Sequence, residues 1–265
     1  MIAEQLPVAS VQQVKQFTAN KFSKAALDYQ THASVQKRAA QDLLTYVNLS
    51  QVTHQGGVCL DLGAGPLVNT TSLGNYFDHV LAVDLSFDML QSASLQCPKV
   101  CADMDRLPFI ANSVDSVFSN FAVQWSTDLA GLFVALYRIL KPAGKVYLSC
   151  VCEGSLNEIK QAFTAIDSQP HINNFYTSQQ LNQFASQAGF TIATQRKQCY
   201  QDSYATPLAA LRSLKAIGAT SQHHQNKRKG LLTKHALQQV CNAYPLDNAC
   251  AKVSYQVVLL ELYKP

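Results

Sequence analysis

The chain has 265 residues, 48% of them apolar and 14% charged, with a net charge of +4. That length supports one large domain with a substantial core, and the apolar-to-charged balance excludes bulk disorder and a charged tail protein. No apolar run reaches membrane-spanning length, and the opening MIAEQLPVASVQQVKQF lacks the basic-then-apolar order of a secretory signal, so a cytoplasmic location is expected.

Residues 8–47 read as helices, with Val35, Ala39, Leu43 and Val47 every four residues on one face. Short apolar runs follow at Val58–Leu62, Val80–Leu85, Val100–Ala102, Val114–Ser119 and Lys145–Val151, and read as strands. Helical segments separate them at Asn69–Phe77, Ser86–Ser94 and Leu129–Leu140. This alternation predicts a mainly parallel sheet covered by helices on both faces. Ser86 is placed to cap its helix, and Lys141-Pro142-Ala143-Gly144 to stop the next helix and turn the chain into a strand. Then come a helix over Leu156–Ile166, the loop DSQPHINNF, a helix from about Ser178 and a strand near Phe190–Tyr200. Residues 205–243 are mostly helical, and Val253–Tyr263 is the last strand. One domain is expected, with a helical cap over 1–50, a core over 51–204 and 244–265, and a helical insertion over 205–243.

Charge is unevenly spread. From Ser203 to Leu246 there is no Asp or Glu, while Arg212, Lys215, Lys227, Arg228, Lys229 and Lys234 all fall there, so the rest of the chain is net acidic. A nucleic-acid binder spreads cations over a face and interleaves aromatics. A local basic patch fits one acidic partner better. Lys227-Arg228-Lys229 reads as a polar loop that steers it. The eight cysteines read as reduced packing residues: Cys59, Cys150 and Cys152 lie in apolar runs, Cys97 and Cys101 are too far apart for a CxxC pair, and no Cys/His spacing suggests zinc.

The chemistry is carried by CLDLGAGP, Cys59–Pro66, which puts a strand, an acid (Asp61) and two glycines at a strand-to-helix turn. Gly63 and Gly65 let main chain pass close to a ligand. Asp84 ends the second strand, placed to accept hydrogen bonds from a ribose diol. Three features favour S-adenosylmethionine over a nicotinamide cofactor. Val68 breaks the GxGxxG pattern, a long helical segment precedes the first strand, and the last strand follows a helix-rich excursion. Asp103, in ADMDRLPF, is placed to take an adenine amino group between Leu85 and Met104, whereas Asp105 reads as a solvated loop charge. SNFAVQW, Ser119–Trp125, follows the fourth strand at the sheet edge where open α/β proteins bind ligands, although Phe121 and Trp125 also suit core packing. Of His32, His171, His223, His224 and His235, none has a triad partner at catalytic spacing.

With KFSKAALDYQTHASVQKRAAQDLL, VFSNFAVQW, QPHINNF and LRSLKAIGAT, the whole chain resembles the malonyl-[acyl-carrier protein] O-methyltransferases, class I enzymes that start pimelate synthesis for biotin. The resemblance implies an α/β, Rossmann-like seven-stranded sheet with a reversed final strand, amino-terminal helices and a helical insertion before that strand. It implies S-adenosylmethionine as methyl donor, held by Asp61, Gly63, Gly65, Asp84, Leu85, Asp103 and Met104, with Asn120 and Phe121 near its methionine end. Leu67 stands where related loops usually carry glycine. The partner implied is malonyl-acyl carrier protein or malonyl-coenzyme A, with no nucleic acid, membrane or metal. Substrate-positioning candidates are Tyr29, Gln124, Trp125, His171, Arg212 and Lys215. A methyltransferase for a free dicarboxylic acid or quinone precursor, and a non-catalytic carrier-binding protein of the same fold, are the alternatives.

Overall fold

The computed structural model describes residues 8–50, 56–216 and 233–265, and the side chains of these except at 8–10, 25–31, 50, 215 and 216. Helices α1 (Val8–His32) and α2 (Ser34–Ser50) precede β1 (Val58–Leu62). The alternating part follows as α3 (Thr70–Leu73), β2 (His79–Asp84), α4 (Phe87–Gln91), β3 (Lys99–Cys101), β4 (Val114–Asn120), α5 (Leu129–Ile139) and β5 (Leu140–Val151). Then come α6 (Asn157–Phe163), α7 (Ser178–Gln187), β6 (Thr191–Tyr204), α8 (Pro207–Ala216), α9 (Lys234–Asn242), β7 (Leu246–Asp247) and β8 (Cys250–Tyr263).

The main path of the sheet runs β3-β2-β1-β4-β5-β8-β6, the expected seven strands, and β7 adds an eighth that pairs only with β8. Strands β1 to β5 pair in parallel, while β8 runs antiparallel to both β5 and β6. The extra strand is a hairpin turned by Asn248 and Ala249, both at positive φ (+50° and +61°), the conformation of a two-residue turn that matches strand twist.

Strand alternation divides the core. Cys59, Phe118 and Tyr147 face one apolar layer, built with Leu43, Val47, Ile159 and Val240. Leu60, Val117, Val146 and Leu148 face the other, built with Leu132, Leu136 and Leu181. Each buried Leu contributes roughly 2 kcal/mol, and the two layers fix which end of every strand meets which loop.

Several boundaries differ from the sequence reading, three of them for reasons visible in the hydrogen bonding. Helix α3 stops at Leu73 because Gly74 closes it, donating its N–H to Thr70 O. Strand β5 begins at Leu140, through the Lys141–Gly144 turn, since Leu140 already pairs with Val114. Strand β6 continues to Tyr204 because polar Gln201–Tyr204 still pairs with β8. Among the described residues no helix is long and apolar enough to cross a membrane.

Candidate active site

The strand order reverses between β2-β1 and β4-β5, and the carboxyl ends of β1 to β4 open there into a pocket of about 810 Å3 including its mouth. This is where open α/β sheets bind ligands. Helix α1 lies across it, with Val14, Lys15, Thr18, Ala19 and Phe22 forming the facing wall.

The floor is the glycine turn. Gly63 has φ +73°, and a Cβ there would overlap the Ala122 methyl. Gly65 has φ +52°, but a Cβ there would meet no atom of the described residues within 4 Å beyond its chain neighbours. The described residues leave clear space beside Gly65 at the pocket floor. Leu67 also takes a left-handed φ, +59°, the conformation a glycine would adopt freely. Its side chain compensates by burial against Ala64, Ala82 and Leu90.

Asp84 is wired into this turn. Its Oδ2 accepts from the Gly65 N–H at 2.9 Å and its Oδ1 from the Ser86 N–H at 2.8 Å. Burial raises its pKa, while the N–H groups of Ser86, Gly65 and Leu85 pull the other way. Each oxygen retains a lone pair for a hydroxyl in the pocket. Ser86 caps α4 by accepting from the Met89 N–H at 3.2 Å, which fixes Leu85 and Met89 in the pocket wall.

Asp103 and Met104 line the far end. Asp103 Oδ1 accepts from the Asp105 N–H at 3.0 Å, and its Oδ2 lies 2.5 Å from Lys15 Nζ. Lys15 also pairs with Asp105 at 2.8 Å. Asp105 is therefore not the solvated charge expected. Burial would raise its pKa, but bonds from Lys15, Ser126 and Thr127 outweigh that and hold the carboxyl below its usual range. It ties the turn after β3 to the segment after β4 and to α1.

Asn120 and Phe121 close the floor from β4. Asn120 Nδ2 donates to Gln36 O at 3.0 Å and its Oδ1 accepts from Ser149 Oγ at 2.7 Å, so its amide joins α2, β4 and β5. Phe121 sits at φ +53°, held by its N–H to Ser149 Oγ at 3.0 Å. Trp125 lines the pocket and meets Phe22 edge-to-face, 5.3 Å between centroids.

Other expected residues lie elsewhere. Asp61 does not line the pocket: it is buried beneath the glycine turn, accepting from Thr70 Oγ1 at 2.6 Å, and burial pushes its pKa up to about 7. Gln124 is beside the wall rather than in it, its Nε2 donating to Phe121 O at 2.8 Å and its Oε1 buried with no partner among the described residues. His171 lines a separate hollow, stacked on Phe163 and 2.7 Å from Asp167 Oδ1, and this hollow shares no residue with the pocket. Arg212 is exposed on α8, which packs against α1. The side chains of Tyr29 and Lys215, and the segment Lys227–Lys229, lie outside the described residues. The sequence reading expected an amino-terminal helical cap but named none of the α1 side chains that line the pocket, although Val14, Thr18 and Phe22 recur at a four-residue spacing that marks one helix face.

The pocket suits a nucleoside with an extended substituent. It offers a carboxylate for a diol, a second acid between apolar flanks for a ring amine, and clear space over a glycine. Those features fit the S-adenosylmethionine expected from the sequence.

Residues 60–148 match the family model described as a methyltransferase domain. The chain is 33% identical over 260 residues to the malonyl-[acyl-carrier protein] O-methyltransferase of Yersinia pestis, covering 94% of this chain and 92% of that one. With the corresponding protein of Erwinia billingiae it is 34% identical over 247 residues, 92% and 95% of the two chains. The structure of geranyl diphosphate C-methyltransferase from Streptomyces coelicolor, in complex with Mg2+, geranyl diphosphate and S-adenosyl-L-homocysteine, superposes with a TM-score of 0.52. It covers 86% of this chain and 79% of its own at 14% identity, a likeness of fold alone.

Proposed function

The chain belongs to the malonyl-[acyl-carrier protein] O-methyltransferase family, and from that premise we propose that it methylates the free carboxylate of a malonyl thioester on acyl carrier protein. One observation supports this most: two acids, Asp84 and Asp103, line the same pocket as the aromatic side chains of Phe22, Phe121 and Trp125. When bound, S-adenosylmethionine supplies a methyl on a positively charged sulfur.

The acceptor needs no activation. A carboxyl with an ordinary pKa of about 4 is ionised at neutral pH, so its oxygen is already the nucleophile. S-adenosylmethionine, which Asp84 and Asp103 would hold, would supply its methyl to a malonyl oxygen and keep the bonding pair on sulfur, so this chain would have no proton to move. Positive and negative charge cancel as the bond forms, so a site that excludes water favours the transition state. Phe22, Phe121 and Trp125 provide that exclusion. Asp84 orients the ribose, and Asp103, held by Lys15, orients the adenine. We place Gln124 and Tyr29 beside the acceptor, and Arg212 and Lys215 on α8 as the cations that hold its carboxylate. His171 would then contact the acyl arm rather than the methyl. The acid-free stretch 203–246 supplies the basic surface that an acidic carrier needs.

The test is incubation with labelled S-adenosylmethionine and malonyl-carrier protein, followed by mass analysis. A single added methyl, removed by mild alkali, supports the proposal. Methylation of free malonate but not of the carrier-bound thioester would select a small-acid enzyme instead. Binding of S-adenosylmethionine with no product from any malonyl compound would refute the activity.

A further inference from the structure

Helix α1 walls one side of the pocket and turns into α2 through a single residue, Ala33, which is 1% exposed. So short and buried a joint gives the cap one pivot. The side chains that open α2 are gripped there by Asp202, near the end of β6. Its Oδ2 accepts from Ser34 Oγ at 2.5 Å and its Oδ1 from Arg38 Nη2 at 2.7 Å. Arg38 Nη2 also donates to Gln201 O at 2.8 Å, so carboxylate and main chain of β6 hold one guanidinium. Between these two residues, Gln36 O accepts from Asn120 of the pocket floor at 3.0 Å.

On its other side Asp202 meets the insertion. It is the last acid before the acid-free stretch 203–246. Burial raises the pKa of Tyr204, a hydrogen bond with Ser213 of α8 opposes that, and one with Asp202 adds to it, so the Tyr204 hydroxyl links Asp202 to α8. Helix α8 also packs against α1. Cap and insertion are thus fastened twice, at the pivot and along α1. Arg212 on α8 and Lys234 on α9, both exposed, make the described part of the insertion basic. Over the pocket, α1 is held by side chains, Lys15 on Asp103 and Asp105 and Ser23 on Ser86. Such contacts let a helix take a raised and a lowered position, and whatever grips its pivot biases the choice.

We propose that Asp202 is a positioning residue through which an acidic protein docked on the insertion holds α1 down over the methyl donor. The inference rests on the carrier reading above. Linkage makes the effect reciprocal: a carrier that tightens the donor is itself bound more tightly once the donor is in place. A small acceptor, lacking the protein surface, should couple less.

S-adenosylhomocysteine has no methyl to give, so it and the acceptor can be bound together without turnover. Its affinity for the full chain, titrated calorimetrically, should rise about tenfold with saturating malonyl-carrier protein, or about 1.4 kcal/mol. Malonyl-coenzyme A should change it by less than about twofold. Asp202→Asn keeps an acceptor for Ser34 but loses the charge facing Arg38. There the carrier should still bind, and its effect should fall below about twofold. A purely structural role would weaken S-adenosylhomocysteine alone and leave the ratio intact. Should Asp202→Asn fail to fold, the exposed Arg38→Gln breaks the same pair from the other side and should lose the ratio too. A carrier that binds without changing the affinity, a ratio that survives both substitutions, or an equal ratio with malonyl-coenzyme A would overturn the proposal. No carrier binding at all would refute the carrier reading itself, and the proposal with it.

Discussion

The two facing walls of the pocket are fastened in different ways. The sheet-edge wall is set by main chain: the Gly65 and Ser86 N–H groups grip Asp84, the Gly63 and Ala64 N–H groups donate to Val83 O, and the Phe121 N–H is held by Ser149. The α1 wall is fastened through side chains: Lys15 to Asp103 and Asp105, Ser23 to Ser86 and Phe22 to Trp125. A wall made of backbone and sheet register cannot move without unfolding its strands. A wall held by side chains can lift and return, which a pocket covered by a helix needs if its ligand is to enter. Changes in the first wall should therefore damage stability and binding together, and changes in the second binding alone.

Gly63→Ala should be the most damaging. The added methyl meets Ala122 at a left-handed φ, so both overpacking and strain act. S-adenosylmethionine affinity should fall at least a thousandfold, and the melting temperature by roughly 5 °C or more at 2–4 °C per kcal/mol. Gly65→Ala sharpens the contrast within one wall: with no atom of the other described residues within 4 Å of the new Cβ beyond its chain neighbours, it should cost about 1 kcal/mol of stability from its φ, yet still obstruct the ligand. Loss of stability in Gly63→Ala with unchanged binding would break the comparison.

Beneath the same wall, Asp61 makes stability depend on pH. Its folded-state pKa of about 7 lies above the ordinary 3.8, so the folded chain prefers the protonated acid. Its contribution is fully present below about pH 4, declines as pH rises towards 7 and is lost above that. Three units at 1.36 kcal/mol each set a ceiling of about 4 kcal/mol. Asp61→Asn, which can still accept from Thr70, should become more stable relative to the parent chain across that window. Denaturant melts at pH 5 and pH 8 would show it, and an equal difference at both would contradict it.

Smaller effects distinguish the ligand contacts. Asp84→Ala removes the diol acceptor and the anchor of the Gly65 N–H, and should weaken S-adenosylmethionine ten- to a hundredfold by calorimetry. Lys15→Met should weaken it about tenfold through faster dissociation, with the melting temperature within about 2 °C of the parent, since only the α1 wall is loosened. A drop in melting temperature as large as that of Gly63→Ala would make α1 part of the rigid wall.

This division also explains what could be read in advance. The strands, the glycine turn, Asp84, Asp103 and the segment after β4 follow from local patterns, because a parallel sheet brings every strand's carboxyl end to one edge. Strand β7 was not legible, since Leu246-Asp247 has no periodicity of its own and exists only as partner to Ala251 and Cys250. Asp105 was misread for a related reason: its partners Lys15, Ser126 and Thr127 arrive from two distant segments, and nothing near it in sequence announces them. Asp61 follows the motif, yet its side chain points under the turn to Thr70, a matter of strand facing that residue type alone does not fix.

In the proposed reaction the pocket would supply orientation and exclusion of water, with no general base. Single-turnover methyl transfer to malonyl-carrier protein, followed from about pH 6 to about pH 9 with chelator present, tests that directly, because the acceptor carboxyl with its pKa of about 4 is ionised throughout. The expected result is a rate that stays flat across this range and is indifferent to chelator. A rate that climbs tenfold per pH unit, or one abolished by chelator and restored by a divalent metal, would contradict it.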